Sequence, residues 1–422
     1  MVLDDVKSFK RKALQWASSF NVCAYLDNNG YPSNLQTDFD AILAVGVEQS
    51  ATAIDSNIDT LTQFSTIPHQ WKFGFLSYEL KNIFESLESK NPTLFNFPPF
   101  YFFIPTYILR FVGEEVYVLK GPQNILTYID DIIPIAASGS PINICSKISK
   151  EEYLCHLSNI QYHIRRGDVY EINFCQEFYA ENCKLSPIDI FWQLNTLSPM
   201  PFASFFKYHD QYIISASPER FLAKRNNTII SQPIKGTAAR SHTFKDDEIN
   251  KEHLRNSVKE QAENVMIVDL VRNDLSKVAI SKTVKVDELM GIYSFTQVHQ
   301  MISTISCKID AEISFTEILK HTFPMGSMTG APKIKAMQLI DKYESTQRNI
   351  YSGSLGYISP NGDFDFNVVI RSILYHQLQR YVSFQVGSAI THLSNPEQEY
   401  EECLLKAKAM ITVLKNANTT FQ

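Results

Sequence analysis

The 422-residue chain has no CxxC pair, no block of basic residues, no histidines at zinc-ligand spacing and no long unbroken apolar run. Each absence removes a class. Seven cysteines (Cys23, Cys145, Cys155, Cys175, Cys183, Cys307 and Cys403) are scattered and odd in number. They read as unpaired thiols in a reducing compartment, not as a disulfide framework. With no basic cluster and a formal net charge of -6, nucleic acid and anionic membrane are poor partners. The most apolar stretch, FNFPPFYFFIPTYILRFVG, is broken by prolines and too irregular to span a bilayer. The N-terminus, MVLDDVKSFKRKALQWASSF, lacks the apolar core of a signal peptide and reads as an amphipathic helix. The expectation is a soluble, cytoplasmic protein.

What is present is aromatic. Twenty Tyr and 28 Phe in a chain that is 44% hydrophobic suit a sheet-rich interior large enough for two or three domains. Short aromatic strands such as WKFGFLSYEL and GEEVYVLKG alternate with turns up to IPIAASGSPINICSK, a small, polar stretch that reads as a linker. Ser149 and Glu152 then form a capping-box pattern, Leu154, Leu157, Ile160 and Ile164 follow at helical spacing, and Gly167 closes the helix. The boundary falls near residue 148, dividing an N-terminal region, 1–148, from a catalytic domain, 149–422. Beyond it, YEINFCQEFYA, QYIISAS, NTIISQPI, SGSLGYIS and RYVSFQV read as strands, and residues 244–274 and 396–415 as long helices. The mixed order argues for α+β and against a doubly wound parallel sheet.

Reactive residue types gather in a few places. In SQPIKGTAAR, Pro233 and Gly236 place Lys235 at the neck of a strand and a tight loop, with Glu219 upstream in SASPERFLAK. Glu260 and Glu263, and likewise Glu399 and Glu402, stand three apart on helices and so share a face. Either pair alone reads as a solvated surface. Facing each other, the two pairs would suit Mg2+, a hard cation that takes oxygen ligands. In FPMGSMTGAPKIKAMQLID, Gly326, Gly330 and Pro332 frame a loop whose amides could bind an anion, although no GK[ST] makes it a Walker loop. Arg371, in FNVVIRSI, reads as a strand arginine wanting a carboxylate or phosphate partner. Together these parts describe a pocket for a small anionic substrate.

Six ordered motifs, SPERF, PIKGT, AENVMIVDLVRND, GSMTGAPK, YSGSLGYIS and EYEECLLKA, resemble the chorismate-utilising enzyme family. That family includes anthranilate synthase component I, aminodeoxychorismate synthase component I, isochorismate synthase and salicylate synthase. FGFLSYELKNIFESL extends the likeness weakly toward the N-terminus. The resemblance implies large mixed or antiparallel sheets packed as a sandwich with helices outside. The anthranilate and salicylate branches resemble PIAGT where this chain has PIKGT, and the lysine resembles the branch that aminates C4 of chorismate. It implies that the Lys235 amine attacks C2 and expels the C4 hydroxyl, that Glu219 protonates the leaving group, and that ammonia enters at C4. The product implied is 4-amino-4-deoxychorismate, a precursor of 4-aminobenzoate and folate.

The same resemblance makes Glu263 and Glu402 direct Mg2+ ligands, with Glu260 and Glu399 acting through water. Thr329, Tyr351, Arg371, Lys406 and the backbone of Gly387, Ser388 and Ala389 would hold chorismate. A free lysine titrates near ~10.4, so a nucleophilic Lys235 is expected to be lowered by burial, and Glu219 to be raised. Two positions depart from the family pattern. Gln300 stands where a histidine is usual, with His299 one residue earlier; Glu171 stands at the place of the water-activating lysine of the isochorismate and salicylate synthases, where aminating members tend to have glutamine, and the lack of that lysine speaks against water as nucleophile. No glutaminase nucleophile motif and no appended lyase are evident, so ammonia is expected from a separate glutamine amidotransferase. The alternatives are an anthranilate synthase subunit and a non-catalytic chorismate-binding module.

Overall fold

Alternate residues of the aromatic strands face two different cores, as the two-residue period of a strand requires. A computed structural model describes residues 1–31, 39–53, 57–133, 142–241 and 243–416. In strand Val22–Asp27, Val22 and Ala24 enter one core while Cys23 and Tyr25 enter another. The neighbouring Ala41–Val45 repeats the division, with Ile42 and Ala44 on one side and Leu43 and Val45 on the other. On a second sheet Phe73, Phe75, Tyr101 and Phe103 join the core that holds Val22 and Ile42, while Phe100 and Phe102 face away.

That shared core is the filling of a sandwich between an 11-stranded and a 10-stranded sheet, with antiparallel pairing throughout the described residues. Rings cross between the sheets: Phe75 and Phe103 lie 5.3 and 5.9 Å from Phe206, and Tyr101 lies 4.7 Å from Tyr208. The outer face of the first sheet is covered by helices Val6–Ala17, Lys150–Arg166 and Pro396–Lys415. Helices Val258–Ser276 and Phe315–Thr322 cover that of the second. The fold is α+β, a sandwich with its helices outside. All seven cysteines are free thiols. No helix among the described residues is long and apolar enough to cross a membrane.

Several elements differ from the sequence reading. Both sheets draw strands from both sides of residue 148: Val22–Asp27 pairs with Phe202–Tyr208, and Lys72–Leu76 with Ser354–Ile358. The regions 1–148 and 149–422 therefore share one sandwich. The physical reason is that strands apolar on both faces cannot be covered by their own half of the chain. Most of the expected linker, residues 134–141, lies outside the described residues. The helix expected over 244–274 is two, Phe244–Asn256 and Val258–Ser276. They break at Ser257, whose backbone is extended and whose hydroxyl caps the second by accepting from the Glu260 amide. Arg371 lies outside the strands, between Phe364–Asn367 and Ser372–His376. By contrast, the Ser149–Glu152 capping box, the left-handed Gly167 and the helix Pro396–Lys415 stand where the sequence places them.

Strand Glu171–Ala180, flanked by the short strand Gly330–Ala331, lies at one edge of the first sheet, and strand Ile234–Ala239 at one edge of the second. These edges come together beneath helices Val258–Ser276 and Pro396–Lys415, and the reactive residues lie there.

Phe206 is fully buried and touches three rings of the opposite sheet. Phe206→Ala is expected to cost about 3–5 kcal/mol, by lost transfer energy plus the cavity left behind. Urea titration followed by circular dichroism checks this; an unchanged midpoint would mean that the inter-sheet core does not hold the sandwich together.

Candidate active site

The position of Lys235 is made by a bulge. Strand Ile234–Ala239 pairs with Val298–Lys308, but the register slips between Ile234↔Ile302 and Thr237↔Gln300, so that Lys235 and Gly236 together oppose one residue. Such a bulge bends the strand and re-aims a side chain. Gly236 takes φ +96, a left-handed backbone that suits glycine. Lys235 therefore sits inside a kinked strand and not at its neck, and its side chain turns into the space between the sheet edges.

A second glycine sets what it meets there. Gly330 pairs against Ile172, and a Cβ at this position would fall 2.1 Å from the Glu171 carbonyl oxygen. The missing side chain lets the Gly330–Ala331 strand close on the start of strand Glu171–Ala180. The Glu171 carboxylate then lies opposite Lys235, with Nζ 2.6 Å from Oε1 and the side chains 8% and 1% exposed.

Burial acts to lower Lys235, but Glu171, Glu263 and Glu219 outweigh it and the amine lies above its ordinary value. The sequence expectation of a lowered lysine is overturned for the ligand-free protein, because burial brought three carboxylates with it. Glu219 moves as a proton donor requires: burial pushes its carboxyl up to about 7, against the pull of the Lys235 and Arg371 charges. Arg371 is half-buried, with a left-handed backbone at φ +50, and loss of hydration pulls its guanidinium down to about 10. Among the described residues no carboxylate lies within ion-pair distance of it; its recorded bond is to the Met200 sulfur, at 3.8 Å. It is a cation held ready for an anion.

These groups open on one cavity of about 620 Å3, within the range of small-molecule sites. The cavity brings together Glu219, Lys235, Tyr351, Arg371, Gly387, Ala389 and Lys406 with all four helical glutamates, Glu260, Glu263, Glu399 and Glu402. Thr329 and Ser388 do not line it. Ser388 lies between Gly387 and Ala389 on the strand and points to the other face; the Thr329 hydroxyl is buried against the carbonyls of Met325 and Gly326.

The glutamates fit a hard cation in kind, but ammonium groups lie among them. Lys259 Nζ stands 3.2 Å from Glu399 and 3.9 Å from Glu263, and Lys406 Nζ 2.8 Å from Glu402. Among the described residues no group of three or more acidic, histidine or cysteine side chains is drawn together as a ready metal cluster. The mismatch shows at Glu263: burial pushes it up to about 7, and its buried Oε1 lacks a hydrogen-bond partner. A carboxylate facing other carboxylates with an unsatisfied oxygen suits a divalent ion.

The two departures from the family pattern separate cleanly. His299 turns away, its ring bonded to Asp247 at 3.0 Å and Ser294 at 2.8 Å, where it ties down the helix Phe244–Asn256. Gln300 lines the cavity, with a buried carbonyl oxygen that has no partner. Lys259 was invisible as a site residue in the sequence, since an exposed-looking helical lysine carries no signal. The role of Glu171 was equally hidden, because its partner is 64 residues away along the chain.

Comparison with known proteins now has a geometry to meet. The family described as chorismate binding enzyme matches residues 36–412. The chain is 39% identical to aminodeoxychorismate synthase component 1 of Salmonella typhimurium over 64% of its own length and 59% of that protein. It is 39% identical to the chloroplastic aminodeoxychorismate synthase of Arabidopsis thaliana over 66% of its length, which is 31% of the plant protein. The chain thus spans between a third and three fifths of these two relatives. Among solved structures, anthranilate synthase component I from Streptococcus pneumoniae superposes with a TM-score of 0.77 at 25% identity, covering 90% of this chain and 93% of that one. The menaquinone-specific isochorismate synthase of Escherichia coli, at 17% identity and a TM-score of 0.76 over 95% and 91% of the two chains, shares the fold. With the match running across both sheets and every wall of the cavity, the chain belongs to the chorismate binding enzyme family.

Proposed function

We propose that the protein is the chorismate-aminating subunit of an aminodeoxychorismate synthase, forming 4-amino-4-deoxychorismate for 4-aminobenzoate and folate synthesis. The observation that carries this reading is a lysine amine buried in the cavity, beside a carboxylic acid at about 7 and a half-buried arginine with no carboxylate within ion-pair distance among the described residues. Relatives bearing that name support it. The anthranilate synthase alternative has relatives too, such as that of Acetivibrio thermocellus at 34% identity, but makes no use of a buried amine at this position.

In this mechanism Arg371 takes a chorismate carboxylate and Lys406 and the Gly387–Ala389 backbone flank the ring. The Lys235 nitrogen bonds to C2, the C1–C2 double bond shifts to C1–C6, the C5–C6 double bond shifts to C4–C5, and the C4–O bond breaks. Glu219 gives its proton to the departing hydroxyl, which leaves as water. Ammonia then bonds to C4, the two double bonds shift back to C5–C6 and C1–C2, and the C2–N bond to Lys235 breaks. Glu263 and Glu402, with Glu260 and Glu399 behind them, would hold Mg2+, which when bound supplies positive charge to a substrate carboxylate. Ammonia would come from a glutamine amidotransferase partner, in the cytoplasm.

The covalent step is tested with chorismate in the absence of ammonia. Rapid-quench intact mass is expected to show an adduct on the wild type and none on Lys235→Ala. Turnover of that variant should fall by orders of magnitude while chorismate binding changes little, the pattern of a group used in the chemical steps. Normal C4 amination by Lys235→Ala would end this reading, and anthranilate as the product would establish the alternative.

An acid of pKa about 7 also fixes the sign of a pH dependence. Glu219 acts protonated, so the rate at fixed free ammonia should fall as pH rises through about 7. Glu219→Gln should lose about 10²- to 10⁴-fold and with it that descent. A variant that keeps the wild-type profile would assign the proton to another group.

For the metal, Glu402→Gln is expected to weaken Mg2+ binding about tenfold or more. Calorimetric titration of the protein without substrate checks this, and unaltered affinity would remove Glu402 from the ligand set.

A further inference from the structure

Lys235 must enter the reaction as a neutral amine, yet it lies where carboxylates favour its ammonium form. Those facing it are Glu171 from strand Glu171–Ala180, Glu219 from the segment before strand Arg220–Arg225, Glu260 and Glu263 from helix Val258–Ser276, and Glu402 from helix Pro396–Lys415. Some group has to take its proton. Glu219 cannot, because in the same step it gives one away. Glu260, Glu263 and Glu402 stand beyond ion-pair distance of Nζ and face the lysines on the far side of the cavity. Glu171 alone is in contact, with Oε1 2.6 Å from Nζ.

Two further features of Glu171 bear on this. It does not line the cavity but stands behind Lys235, so substrate would reach the amine without displacing it. Its second oxygen, Oε2, is buried with no hydrogen-bond partner. Glu171 thus meets Lys235 through one oxygen and keeps the other as a free acceptor beside the ammonium.

We propose that Glu171 is the general base for Lys235, taking the Nζ proton as the amine bonds to C2. This rests on the covalent role proposed above. The bookkeeping of protons closes. Glu171 takes one proton from the ammonium, and the nitrogen lone pair forms the bond to C2, leaving a secondary ammonium on the substrate. Glu219 loses its proton to the departing hydroxyl. When ammonia bonds to C4 and the C2–N bond breaks, the electron pair returns to Nζ as a neutral amine. Glu171 gives back its proton, and Glu219 recovers one from the new C4 ammonium.

The test uses Glu171→Gln, which keeps the shape and a hydrogen-bonding oxygen but not the basicity. Adduct formation from chorismate alone, at saturating Mg2+, is followed by rapid-quench intact mass across pH. The variant is expected to form adduct about 10²- to 10⁴-fold more slowly near pH ~7, with chorismate binding within about threefold of wild type. The profile should also change shape. Wild type stays level on the acid side of about 7 and falls above it as Glu219 ionises. Glu171→Gln climbs about tenfold per pH unit toward that value and then levels, because solvent must first remove the lysine proton. A rate within about threefold of wild type, or a profile of wild-type shape, overturns the assignment. If Glu171→Gln folds poorly, Glu171→Asp takes its place: a wild-type-shaped profile at reduced rate supports the base, and a climbing one overturns it. A wild type that forms no adduct removes the covalent reading itself, a result distinct from failure at Glu171.

Discussion

Charge balance in a closed space is the constraint on which the site depends. Six carboxyl groups (Glu171, Glu219, Glu260, Glu263, Glu399 and Glu402) meet five cations (Lys235, Lys259, Arg371, Lys406 and Lys408) between two sheet edges and two helices. Burying an unpaired charge is costly, so each group is either paired or driven toward its neutral form. Lys235–Glu171, Lys259–Glu399 and Lys406–Glu402 are the pairs. Glu219, Glu260 and Glu263 stand outside these pairs, Glu263 no closer than 3.9 Å to Lys259, and burial pushes all three up, Glu219 and Glu263 to about 7. Glu219 is the acid of the proposed mechanism; Glu260 and Glu263 are candidates for a divalent ion. The site's proton store and its opening for a cation thus arise from one imbalance.

The sandwich exists to hold that imbalance in place. The charges of the site gather at the strand edges, where Gly236 and Gly330 let backbone and side chains approach closely. The helices that close the cavity bring the acidic pairs with them: Glu260 and Glu263 lie on Val258–Ser276, Glu399 and Glu402 on Pro396–Lys415.

What could be read from the sequence was local, or was carried by motifs. The Ser149 capping box, the Pro396 start of the last helix and the alternation of aromatic strands need only neighbouring residues, and each appears in the fold. The motif residues Glu219, Lys235, Glu263 and Glu402 do share one cavity. The rest depended on distance along the chain. Nothing near Lys235 reveals Glu171, so the sign of its shift could not be anticipated. Pro233 and Gly236 signal a turn equally well as a bulge, and only the register against Val298–Lys308 distinguishes them. No glycine or proline marks Ser257, so the helical pattern runs through the break. The strand pairing across residue 148 was hidden for the same reason, since a polar linker says nothing about which strands later pair across it.

That pairing across residue 148 bears on how the chain comes into being. Lys72–Leu76 leaves the ribosome long before Ser354–Ile358, the strand it pairs with, has been made. Contacts so remote in sequence form slowly, and an unpaired aromatic strand invites association in the meantime. The N-terminal strands can pair with one another first, as Val22–Asp27 does with Ala41–Val45 and Lys72–Leu76 with Phe100–Ile104. Their sheets, and the core between them, are completed only when the second half of the chain arrives.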